Sequence, residues 1–167
     1  KDDNDAKGIA VLINLSPRAV EGLTLGATLY HDTIPPNPSL TTRTKSIGER
    51  IIGGHVVYKT NRVELLGELF NINHDDHTSD QGYDTIGWYA QSSYVVGSLT
   101  PYYRFDFLNF GGVDPYFAPN VNDVHKHTLG VRWDLLPWNA LKVEYGFANY
   151  EALDDEHLLS INLSFAF

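Results

Sequence analysis

The stretch LGVRWDLLPWNALKVEYGF, residues 129–147, decides the fold class. In its first half Val131, Trp133 and Leu135 alternate with Gly130, Arg132 and Asp134. In its second half Leu141, Val143, Tyr145 and Phe147 alternate with Lys142, Glu144 and Gly146. Successive side chains of a strand point to opposite faces, so this period marks two strands, each apolar on one face and polar on the other. Only Pro137 and Trp138 separate them, which makes the unit a tight antiparallel hairpin.

The same period runs outward to both ends of the chain, with no sustained helical spacing. It predicts about nine strands, beginning with GIAVLINLS and LTLGATLYH and passing through RVELLGELFNIN, TIGWYAQSSYVV and SLTPYYRFDFLNF. The expected fold is all-β and antiparallel, one domain over 1–167. The connections alternate: PRAVEG, TN, GS and PW are short, whereas long loops are expected near 32–48, 74–84 and 110–126, with a shorter one near 151–156. Outer-membrane β-barrels sort their loops in this way, tight turns at one rim and long loops at the other, and their strands need only about 9–11 residues each. An antiparallel transmembrane β-barrel of outer-membrane type is therefore expected.

Composition narrows the partners. A net charge of −9 leaves no basic patch for a nucleic acid. There is no Cys, so disulfides and thiolate metal sites are excluded. Nor is there any Met, from which Lys1 is expected to lie downstream of a removed segment. No apolar run reaches the length of a transmembrane helix.

Alternation does not say which face is the core. The polar face carries an Arg/Asp or Lys/Glu pair at i, i+2 on three successive strands: Arg104 with Asp106, Arg132 with Asp134, Lys142 with Glu144. Glu64 and Glu68 add to it. These eight residues are the pore-lining candidates, expected to face one another across or along a water-filled lumen, either setting ion preference or merely neutralising one another. A soluble barrel with this face outward has the same pattern. The aromatics favour the membrane: Tyr58, Trp88, Tyr94, Tyr103, Trp133, Tyr145 and Phe147 sit on the apolar face toward strand ends, as interfacial girdles do.

The last strand, EHLLSINLSFAF, places Leu159, Ile161, Leu163, Phe165 and Phe167 on one face and ends on the aromatic. It resembles the C-terminal insertion signal of Gram-negative outer-membrane barrels. GWYAQSSYVVGSLTPYYRFDF and the hairpin quoted first resemble the last strands of porin-like proteins, including the phosphate-selective porin group and its uncharacterised relatives. The resemblance implies a bacterial outer-membrane location, with membrane lipid and the barrel-insertion machinery as partners and a passive channel as the activity. An odd strand count further implies the C-terminal part of a larger barrel, because single-chain bacterial barrels have even numbers.

Other chemistry is thinly represented. His74, Asp75, Asp76, His77 and Asp80 offer imidazole and carboxylate ligands, with His125, His127 and His157 at other loop ends, but the spacing makes no preformed site and no metal is expected. Ser92, Ser93, Ser160 and Ser164 lie within strands without an elbow motif, so no catalytic residue and no cofactor are expected. The expected function is a porin-like channel for small hydrophilic solutes or ions. The alternative is a non-conducting barrel: a scaffold, adhesin or receptor, or a sheath around a partner protein in its lumen. A homo-oligomer is compatible with either.

Overall fold

Among the described residues, nine alternating segments give nine strands in one sheet. The computed structural model describes residues 7–36, 45–76, 81–112, 114, 116–117 and 122–166. The strands are β1 (Ile9–Leu15), β2 (Leu23–Ile34), β3 (Ile47–Lys59), β4 (Val63–Asp76), β5 (Gln81–Tyr94), β6 (Leu99–Phe110), β7 (Val124–Leu136), β8 (Asn139–Tyr150) and β9 (Glu156–Phe165). They pair in sequence order and every neighbour is antiparallel. No helix occurs among the described residues.

The tight turns share one rim and are built by local chemistry. Gly22, at φ +81°, closes the β1–β2 connection, where its carbonyl accepts from Lys59 N at 2.9 Å. Gly97, at φ +62°, turns β5 into β6; left-handed backbone of this kind is open to glycine without a Cβ clash. In the β3–β4 turn the Thr60 hydroxyl accepts from Val63 N at 2.9 Å while Thr60 N donates to Val63 O at 2.8 Å. The β7–β8 hairpin carries a register irregularity between Asp134 and Leu136, just before Pro137 and Trp138.

At the other rim the connection expected near 74–84 is shorter than its composition suggests. β4 and β5 stay paired out to Asp76 opposite Gln81. Their outer residues, Asn71, Asn73, Asp75, Gly82 and Asp84, are not apolar, so the hydrophobic alternation stops before the backbone ladder does.

Burial decides the orientation. The concavity of the sheet, about 840 Å³, is lined mostly by the polar face of β3 to β9. Among the described residues the buried hydrophobics are Ile47 and Ala148 alone, whereas Leu129 is 60% exposed, Leu69 54% and Ile52 50% on central strands. The apolar face is convex and outward. This inverts the packing of a water-soluble barrel, which hides such side chains inside.

Antiparallel succession over nine strands makes the edge strands β1 and β9 run in the same direction. An all-antiparallel closure between them takes an odd number of further strands.

Candidate functional site: the concave wall

The wall is a grid in which cross-strand partners share a face. One row reads Ser93, Tyr102, Gly130, Glu144, Ser160 across β5 to β9; the next reads Gln91, Arg104, Thr128, Gly146, Leu158. Along the strands the i, i+2 spacing joins opposite charges. Arg104 donates to Asp106 at 2.7 Å from Nε and 2.5 Å from Nη2, Arg132 reaches Asp134 at 2.7 Å, and Lys142 reaches Glu144 at 3.1 Å. Lys59 holds Glu64 at 2.9 Å across the β3–β4 turn. Glu68 stands between His55 and Tyr89 in the register.

The pairing has a local cause. Arg132 and Lys142 are direct cross-strand neighbours, and like charges so placed repel; a carboxylate two residues along each strand offsets this. All eight lining candidates lie on the concave face, and the carboxylates bonded to Arg104, Arg132 and Lys142 are those of the same strand. Over the middle of the wall Lys59, Arg104, Lys126, Arg132 and Lys142 match Glu64, Glu68, Asp106, Asp134 and Glu144 one for one.

Aromatic rings on this face are folded against the sheet. Tyr102 lies over Gly130, where a Cβ would stand 2.2 Å from the ring, and Phe70 lies over Gly87, where it would stand 2.3 Å away. Tyr102 Oη donates to Glu144 Oε1 at 2.5 Å, and the Arg104 guanidinium sits 3.8 Å above the Tyr89 ring. Glycine at these two positions keeps the rings flat and the concavity open. The strand register puts Tyr89, Tyr102 and Lys126 on this face, and nothing in the alternation of the sequence shows that the rings fold down.

The convex face carries all seven girdle candidates, Tyr58, Trp88, Tyr94, Tyr103, Trp133, Tyr145 and Phe147, none of them buried. It also carries His125, His127 and His157, which interleave with the rings. Phe105 lies 4.9 Å from His127, Phe147 lies 5.0 Å from His157, and Tyr103 and Tyr145 hydroxyls meet His127 and His157 Nδ1 at 2.7 and 2.6 Å. The alternation of HKH, with Lys126 on the wall, was the available signal for this. Leu159, Ile161, Leu163 and Phe165 form the convex face of β9; Phe167 lies outside the described residues.

The metal-ligand candidates are dispersed by the strand period. His74 and Asp76 face the concavity, Asp75 faces the opposite side, and Asp76 is bonded to Lys45 at 3.0 Å. His77 and Asp80 lie outside the described residues. Among the described residues no group of three or more His, Asp or Glu is placed to hold a metal ion. His74 is instead buried, at 1% exposure, with Nδ1 2.5 Å from Asp114 and Nε2 2.9 Å from Glu49.

No family model matches the sequence, and no curated protein does. Among solved structures the chain is similar to a porin, with a TM-score of 0.65 over 100% of this chain at 14% identity. The chain spans about half of that porin, 53% of its length. The likeness is one of fold: a porin-like antiparallel sheet.

Proposed function

We propose that these strands are part of an outer-membrane porin-like barrel that lets small hydrophilic solutes and ions diffuse passively. The observation that carries the reading is the inverted wall: paired charges and flattened rings inside, large apolar side chains outside. Such a face pair suits water on one side and lipid on the other. The convex aromatics then meet the membrane interfaces, the tight turns face the periplasm and the long connections face the exterior. The parallel run of β1 and β9 and the share of the porin that is covered support a larger ring. About seven further strands give the sixteen-strand class with an aqueous channel. We assign no catalysis, and the even match of wall charges favours weak selectivity over a dedicated phosphate site.

Planar-bilayer recording on the complete polypeptide tests the reading. Stable conductance steps that scale with bulk salt are expected. A barrel that inserts and stays silent is instead a scaffold, receptor or sheath, and the channel reading is then withdrawn.

A further inference from the structure

The buried His74 is not explained by a wall of exposed pairs. Asp114 follows β6, yet its carboxylate meets His74 on β4, two strands away and on the concave side. Between β6 and β4 in the sheet stands β5, whose Thr85 is only 2% exposed. The turn is self-supporting. Gly111 N donates to Asp84 O at 2.8 Å, Tyr116 N donates to the Asp114 carboxylate at 2.8 Å, and Phe117 N donates to Asp114 O at 3.2 Å. Tyr116 and Phe117 pack on the imidazole at 4.9 and 5.0 Å, and Phe117 also touches Phe110 at 5.7 Å.

We propose that Asp114, Tyr116 and Phe117 form an inward strap, pinned across the outer mouth by an imidazolium bridge from Asp114 through His74 to Glu49, and released when that bridge loses its proton. The proposal rests on the channel reading only for its consequence, a mouth that is narrower while the strap is pinned.

The proton requirement follows from donor arithmetic. Both ring nitrogens face carboxyl oxygens, and a doubly protonated ring donates to both, whereas a neutral imidazole has one N–H and turns a lone pair toward the other oxygen. The surroundings add negative charge or none. From β2 come Asp32 and Tyr30, bonded to each other at 2.9 Å; from β3, Glu49; from β4, Asp76 with its partner Lys45; from β5, Tyr83; from the strap, Asp114 and Tyr116. His74 is the twelfth residue of β4 counted from the tight-turn rim, beyond the about 9–11 residues that span a bilayer. Burial opposes the charged ring, but the hydrogen bonds to Asp114 and Glu49, with their charges, outweigh it and hold the His74 pKa above its ordinary 6.5. A raised histidine pKa gives a bridge that is complete below 6.5 and lost as pH climbs through the higher folded value.

The chain has no cysteine, so one introduced thiol reports the strap cleanly. Phe117→Cys is placed in the full-length protein with and without Asp114→Asn, and labelled with a membrane-impermeant maleimide at pH 6 and pH 9. Comparing the two backgrounds at each pH cancels the ionisation of the thiol. At pH 6 the Asp114→Asn background is expected to label about tenfold faster, the factor that loss of one charge-assisted hydrogen bond sets. At pH 9 the ratio falls toward one. Equal rates at both pH values overturn the strap, whether or not the barrel conducts. Should Phe117→Cys fail to fold, Tyr116→Cys is read in the same way.

Discussion

The wall at β6 to β8 and the mouth at β3 and β4 both place carboxylates beside cations on the same concave face, yet they do so on different terms. On the wall each partner is two residues away on its own strand and both remain open to water, Arg132 and Asp134 at 58% and 43%. At the mouth the basic group is a histidine 1% exposed, and its carboxylates come from β3 and from the segment after β6. Distance in sequence and burial rise together. The wall pairs are screened and cheap to lose; the mouth cluster is held by three segments at once and leaves buried charge behind if it breaks.

The sharpest way to break this contrast is to remove the cation at each place. His74→Leu strands two carboxylates at a buried position and is expected to cost about 3–5 kcal/mol, measured as a lowered urea midpoint of the micelle-embedded full-length barrel. Arg104→Leu in the same assay is expected to cost about 1 kcal/mol or less. Equal losses would show that the mouth is no more than another surface pair.

A second comparison turns on the face of one strand. Arg132 is native on the wall; Val131, its neighbour, is 40% exposed on the convex side. Val131→Arg carries the same charge into the lipid of the proposed membrane and is expected to cost about 2–4 kcal/mol near the bilayer midplane. An unchanged midpoint would argue that water, not lipid, bathes that face. A smaller effect is expected within the wall: Tyr102→Phe removes the 2.5 Å bond to Glu144 but leaves that carboxylate its Lys142 partner, so the loss should stay near about 1 kcal/mol.

What was legible in the sequence follows the same division. The Arg104–Asp106, Arg132–Asp134 and Lys142–Glu144 pairs could be read because the strand period of two puts i and i+2 on one face, and nothing further is needed. The inverted orientation was legible more weakly, through aromatics gathered at strand ends. The Glu49–His74–Asp114 cluster was not legible at all. His74 was grouped with Asp75, which the strand turns to the other side, and its true partners lie on β3 and in the segment after β6. The loop near 74–84 was drawn too long for a related reason: strands that rise above an apolar band keep their backbone bonds but no longer need apolar residues. The three convex histidines were assigned to loop ends by composition, although HKH alternates as a strand does.

The smallest expected effect is the most informative about transport. Arg132→Glu sets a carboxylate two residues from Asp134 and directly opposite Lys142, so one ion pair is exchanged for another across the β7–β8 ladder. Stability should move by less than about 1 kcal/mol, because every group involved is solvated. If the wall charges act only as local pairs, the reversal potential in a salt gradient should also barely shift, since Lys142 takes up the new carboxylate while Asp134 remains hydrated. If it shifts strongly toward cations, the charges of β6 to β8 act on the lumen as a field, and their pairing along the strands is incidental to selectivity. At the mouth the partners of His74 come from β3 and from the segment after β6, so its pairing does not run along one ladder as the wall pairs do. Charge on the wall is therefore redistributable between neighbouring strands, whereas charge at the mouth ties three separate segments together.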